Sequence, residues 1–425
     1  MHFNDVYGDE LFCHPSELGR LQETISTNDF NNHLSLLTYS GIKPHIRYCK
    51  QVIIDTILQW LDTICSDDEI CIVNEYDNNN ITKTVFCNDH FVNQPLNNPK
   101  YTDEYINLRN NLFNKFNSIE RDIRQALIDN NVDIYFPNHK VGICVNGYSD
   151  SAKYYMTNSQ FVFERTENLS SQFGIRIINI FEDHFLDLHK LTVLTDIITH
   201  ALHKTVNRIY ARDTEVVIDK ALNYKWFFEK NNIQSYRNAR TAFMLVLKKD
   251  LPKLGLTKGT VVMGYTVGTA HFGKGKYDAE IARGACMLGY SVVGGASKLW
   301  KTIIDYYSTQ DLFGNPGQVN SIVYYSDNNY YDGKSVQLLP GNQLIVTTSG
   351  FWNYWCEEFK MKNREPMKHK EVVARTHAFK DVINNNKDQQ GKLTCNFADL
   401  LYSNYAFEVW NAGTHTFVWE RNQNN

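Results

Sequence analysis

Short apolar runs bounded by turn residues recur between positions 132 and 346, with amphipathic stretches among them. This alternation limits the folds open to the chain, because runs of four to eight residues have strand length and longer periodic stretches have helix length. VDIYFP at 132–137 predicts a strand stopped by Pro137. KVGICVNG at 140–147 predicts a second strand that turns at Asn146-Gly147. GIRIINIF at 174–181 predicts a third, apolar enough for a central strand, and a helix follows over 186–201. A preceding helix, three strands and a closing helix make an α/β unit with a small mixed sheet.

A second α/β region is predicted from Arg208 onward. Strands are expected at 215–218, 242–248, 261–267, 280–286, 290–293, 319–325 and 344–346, with helices at 223–230 and 297–307. The segment from 372 is basic and helical before a final strand near 416–419. Ahead of residue 115 the chain reads as mostly helical. Val52, Ile53, Ile57, Leu58, Leu61 and Ile64 repeat at helical spacing over 45–64. Leu108, Leu112, Phe116, Ile119, Ile123 and Leu127 do so over 105–128. Short strands around an Asn-rich turn are expected over 67–90, and a linker over 93–100 with Pro95 and Pro99. The expected architecture is therefore α/β in three parts: 1–115 helical and accessory, 116–205 a small core, 206–425 a second α/β region.

Composition excludes some classes. Hydrophobic residues are 43% and charged residues 21%, which is globular rather than disordered. No run approaches the roughly 18 apolar residues of a transmembrane helix, so no membrane partner is expected. The N-terminus has no basic segment leading into an apolar one, which predicts a cytoplasmic protein. Nine scattered cysteines without a CxxC pair predict reduced thiols rather than a zinc site.

Charge is unevenly placed. Residues 1–150 carry 11 Lys+Arg and 21 Asp+Glu, while residues 151–425 carry 32 and 26. The span 248–301 holds nine cations (Lys248, Lys249, Lys253, Lys258, Lys274, Lys276, Arg283, Lys298 and Lys301) against Asp250, Asp278 and Glu280. The span 360–392 holds nine cations against four acids. A polyanion partner for the C-terminal two thirds fits this asymmetry. VVGGASKL at 292–299 places a glycine turn between a strand and a helix, where backbone N–H groups can cradle a phosphate and Ser297 can cap the helix. That phosphate could belong to nucleic acid or to an acyl-CoA; the turn is not a Walker loop. His184, His189, His200 and His203 fall on or beside one helix and read as surface or DNA-contacting residues rather than metal ligands.

In this order the motifs resemble phage-encoded homing endonucleases of the EDxHD class, which share a nuclease core with the very-short-patch mismatch repair endonuclease. VDIYFP, KVGICVNG, GIRIINIFED (174–183), NRIYAR (207–212), VVGGASKL, IVYYSD (322–327) and the segment from WNAG at 410 to Trp419 carry the resemblance over about 118–420. It implies a Mg²⁺-dependent nuclease core, with Glu120 as the helix acid and Asp133 as the strand acid. Asp150 would be a third metal ligand. The family's Glu two residues before Asn-Gly is Cys144 here, and its following Trp-His pair is replaced by Tyr148-Ser149-Asp150-Ser151. No histidine occurs between His139 and His184. The resemblance thus implies a double-stranded DNA-binding protein with a degraded active site. Lys274, Lys276, Arg283, Ser297, Lys298 and Lys301 are the expected DNA contacts. Three alternatives stand beside it. One is an active Mg²⁺-dependent endonuclease. Another is a promoter-recognition subunit of a phage RNA polymerase in the host cytoplasm, docked through the acidic N-terminal region. The third is a CoA-dependent acyltransferase, since VVGGASKL is also similar to the CoA-binding element of acetyltransferases and the strands over 242–346 could build that fold.

Overall fold

The computed structural model describes residues 54, 57–58, 60–61, 64–65, 70–73, 111–112, 114–116, 118–146, 160–181, 184, 188–271, 275–355, 360–362, 387–388 and 406–421. The fold is mixed α/β with several sheets. It divides into two compact units, residues 1–188 with 349–413 and residues 189–348 with 414–425. These limits fall at 188/189, 348/349 and 413/414. The expected linker at 93–100 and the helical segment from 372 lie outside the described residues, apart from 387–388.

In the first unit, helical residues at 54–61 bury Ile54, Leu58 and Leu61. β1 (Cys71–Ile72) follows. The helix expected over 105–128 is broken. The N–H and hydroxyl of Ser118 both donate to the Lys115 carbonyl, at 3.0 and 2.7 Å, and α1 (Arg121–Asp129) starts afresh after Glu120. A serine that bonds the local backbone offers the chain an alternative to continued helix. β2 (Ile134–Phe136), β3 (Val141–Asn146), α2 (Phe161–Phe173) and β4 (Arg176–Phe181) complete the core. Among the described strands the order is β1-β2-β3-β4, with β3 and β4 parallel across α2. β4, expected to be central, therefore ends that order. It is buried from Ile177 to Phe181 all the same. Gly174 caps α2 in the left-handed region at φ +68, with its N–H on the Ser170 carbonyl, so the strand begins two residues later than its apolar run.

α3 (Leu188–Ala201) was expected to close the first core, but residues 189–201 belong to the second unit. Asp196 on this helix accepts the Gly289 N–H at 2.7 Å. The second unit continues with β5 (Asn207–Tyr210), β6 (Thr214–Lys220), α4 (Lys225–Asn231), β7 (Thr241–Leu247), β8 (Val261–Thr269), β9 (Ala279–Cys286) and β10 (Tyr290–Val293). α5 (Gly295–Tyr306), β11 (Ser321–Asp327) and α6 (Lys334–Gln337) follow, then β12 (Asn342–Trp355) and β14 (Ala406–Glu420), of which the residues up to 348 and from 414 belong to this unit, while β13 (Lys360–Lys362) falls within the first. β6 to β9 form an antiparallel meander, β9 pairs parallel with β11, and β14 lies beside β11. β10 pairs with β5 in a separate parallel ribbon.

Both faces of this sheet are covered. Phe243, Leu245 and Leu247 of β7 face Leu299, Trp300 and Ile303 of α5. Ala242, Met244 and Val246, the alternate residues, face Phe227 and Phe228 of α4. A strand buried on both sides reads as one apolar run, which is why 242–248 was legible. α5 starts two residues before Ser297, so Ser297 does not cap it. Gly294 is the cap at φ +76, and a Cβ on Gly295 would lie 2.7 Å from Val292 Cγ1 and 2.8 Å from Met263 Sδ. One glycine supplies the left-handed turn and the other the close approach of helix to sheet.

Candidate functional site

The first unit does not assemble the expected metal pair. Asp133 is fully buried just before β2, and its Oδ2 accepts the Val145 N–H at 2.7 Å. Its own N–H bonds the Ile143 carbonyl, which locks it into the sheet. Glu120 is exposed at the opposite end of α1. Seven residues of helix rise about 10 Å from Glu120 to Leu127, whose carbonyl accepts the Val132 N–H beside Asp133. Mg²⁺ needs oxygens about 2.1 Å away in an octahedron that keeps several waters. A sealed carboxylate and an exposed one at the far end of a helix do not fit it. Cys144 is a fully buried thiol and is no ligand for a hard ion. Asp150 lies outside the described residues. His184, expected at the surface, is buried, and its Nδ1 accepts the Phe181 N–H at 2.9 Å.

The expected DNA contacts do not form one surface either. Lys298 is tied down: its Nζ donates to the Ala211 carbonyl at 2.9 Å and to the Thr214 carbonyl at 2.5 Å. Burial and the charge of Lys248 hold its pKa below the usual lysine range. Arg283 is likewise occupied by the carbonyls of Ser235 (2.9 Å) and Ala282 (2.8 Å). It is on the face of the sheet that α4 covers, opposite α5. Lys276 lies before the start of β9, a strand length of roughly 25 Å from the end that leads to α5. The hydroxyl of the adjacent Tyr277 raises its pKa. Ser297 and Lys301 are exposed on α5, and Lys274 lies outside the described residues.

What does gather is a basic rim around the start of α5. Gly294 sits against Ala211, a Cβ there lying 3.6 Å from the Ala211 Cβ. Arg212 follows, its guanidinium 4.8 Å from the half-exposed ring of Tyr210. The loop from β7 to β8 packs at the same end, with the Tyr290 hydroxyl donating to the Leu254 carbonyl at 3.2 Å. It carries Lys248, Lys249, Lys253 and Lys258, all exposed. Lys249 pairs with Asp213 at 2.8 Å, and that hydrogen bond, with the charges of Lys249, Arg212 and Lys248, holds the Asp213 carboxyl below its usual range. Counting Lys298, six cations meet Asp213, Glu215 and Asp250. The first N–H groups of α5 add the positive end of a 12-residue helix. Such a surface attracts and positions phosphates. The 248–258 lysines are visible in the sequence as the dense start of the basic span, but nothing local shows that they meet the glycine turn.

On the same sheet, β9 and β11 run parallel side by side. They pair over only three rungs, Ala279 to Ile281 with Ile322 to Tyr324. Beyond these, Tyr324 and Tyr265 meet edge to face at 5.5 Å, and Tyr324 stacks on Trp300 at 6.4 Å. Both tyrosines press against the backbone of Gly284. Burial raises the Tyr265 hydroxyl to about 12 and the Tyr324 hydroxyl well above its usual value, so both stay neutral. Glu280, buried on β9, has its oxygens taken by Arg237 (2.9 Å), the backbone and ring of His271 (3.0 and 3.2 Å) and the Tyr325 hydroxyl (3.2 Å). Aromatic rings thus pack beside these rungs, and the Glu280 carboxylate is already paired.

No family model matches the chain, and no curated protein matches it. Among the described residues no helix is long and apolar enough to cross a membrane.

Proposed function

We propose that the protein binds double-stranded DNA, and that the second unit contacts the phosphate backbone through the basic rim at the start of α5. The supporting observation is the convergence of Arg212, Lys248 and Lys249 on the Gly294 turn, with Lys253 and Lys258 in the same loop. Lys298 contributes charge from beneath, while Ser297 and Lys301 flank it on the helix. Contacts of this kind set register and affinity without reading sequence. The reading does not call on Glu120 and Asp133, one exposed and the other buried under the sheet.

Affinity from phosphate contacts falls with salt as counterions are released, with a log–log slope of about 0.9 for each neutralised phosphate. A fluorescein-labelled duplex titrated by anisotropy across a salt series reads that slope. The variant carrying Lys248→Ala, Lys249→Ala, Lys253→Ala and Lys258→Ala should lose about 3 from it. The variant carrying Lys276→Ala alone should keep the native slope. Equal slopes for the fourfold variant and the native protein would remove this interface.

A further inference from the structure

The carboxyl ends of β3 and β4 hold a buried cation that no described carboxylate answers. α2 packs on these strands with Leu169 in one cluster with Cys144 and Ile177. Arg165, one turn earlier on the same stripe, reaches the polar end of that interface and is only 3% exposed. Its Nη2 donates to Asn146 Oδ1 at 2.8 Å and to Asn179 Oδ1 at 2.5 Å. Asn179 in turn donates to the Thr166 hydroxyl at 3.1 Å, and Asn146 to the Cys144 and Ile180 carbonyls at 3.3 Å. Phe161 lies 5.2 Å from the guanidinium. Every one of these partners is neutral. Nε is sealed from solvent and makes no hydrogen bond.

A guanidinium is charged at every pH a folded protein meets, and a buried charge is tolerated only when paired. Amide oxygens orient Arg165 but do not neutralise it. The guanidinium, with its Nε–H unused, meets Asn146 where β3 and β4 end in parallel, Asn146 lying opposite Phe181 in the last rung. That end of a parallel pair is where open α/β sheets bind ligands. A planar fork with donors to spare is suited to an oxyanion, phosphate above all.

We propose that Arg165, framed by Asn146 and Asn179, is a metal-free anion site that takes a phosphate group, either as free phosphate or as the terminal phosphate of a nucleotide. This site belongs to the first unit and does not depend on the DNA rim of the second.

The test is thermal unfolding of the full chain with rising inorganic phosphate, thymidine 5′-monophosphate or thymidine, each against chloride at matched ionic strength. The native Tm should climb with phosphate by mass action, and thymidine should do nothing. A response at least tenfold more sensitive to the monophosphate identifies a nucleotide as the source; an equal response identifies free phosphate. Arg165→Met should abolish the dependence on phosphate, whatever its Tm in chloride. If that variant does not fold, Asn146→Asp supplies an internal carboxylate to Nη2 and should give a Tm independent of phosphate. A native Tm that responds no more to phosphate than to chloride would overturn the proposal. So would a phosphate response that Arg165→Met or Asn146→Asp leaves intact.

Discussion

Asp133 and Glu120 show how a side chain's surroundings decide its role. Removing a buried acceptor leaves its donor unsatisfied, which costs about 1–3 kcal/mol. Asp133→Ala should therefore destabilise the protein by that amount in urea unfolding, because the Val145 N–H loses its partner. Glu120→Ala, at an exposed position, should stay within about 0.5 kcal/mol of native. A native protein that nicks DNA with Mg²⁺ and loses the activity in both variants would restore the paired-carboxylate reading. Asp213 offers a different test. Its carboxyl is held below the ordinary value of 3.8, so the stability it gains from Lys249 is present above that pH and fades as pH falls through the lowered value. Asp213→Asn should remove this acid-side dependence. It should also tighten DNA binding severalfold at low salt, since Lys249 is released and a negative charge removed. Weaker binding by this variant would show that Asp213 organises the rim rather than opposing it. Spacing in the sequence revealed which carboxylates existed, but not that one would be sealed under a sheet and the other carried to the far end of a helix.

The elements were legible where apolar periodicity was clean. β6, β7, β8, β9 and β11 fall within two residues of their expected limits because alternate residues are buried on the two faces of the sheet. β14 runs from Ala406 to Glu420, although only 416–419 was expected. Its buried Asn411, Thr414, His415 and Thr416 hide a strand from any apolar count. The break at Ser118 leaves no apolar signature, because a hydrophobic stripe continues through it while the backbone does not. The turn before α5 was recognised as a glycine turn, but its cap was assigned to Ser297, since a serine cap is the common solution and a glycine pair with two separate tasks has no signature of its own. Gly295→Ala should cost about 1–3 kcal/mol, because Val292 and Met263 must give way to the new methyl. Trp300→Ala should cost about 3–5 kcal/mol, as its ring fills the space beside Tyr324 and its indole N–H bonds the Pro340 carbonyl at 3.1 Å. A native-like midpoint for Gly295→Ala would mean that α5 sits less tightly on the sheet than its contacts require.

Over the whole molecule, the α/β class was readable from the alternation of runs, while the division into units was not. A unit closed by residues 414–425, more than 60 positions after its previous segment ends at 348, leaves no local trace in sequence. The charge asymmetry pointed to the C-terminal two thirds, and the fold narrows it to one end of one sheet. The six cations around the Gly294 turn come from Arg212, from the β7–β8 loop and from α5, so only folding makes them neighbours. The most direct test of the DNA-binding account is the salt dependence of duplex binding by the native chain beside its fourfold lysine variant at 248, 249, 253 and 258. A steep native slope that falls by about 3 in the variant is the predicted result. A shallow native slope, or the same slope in both proteins, would contradict it.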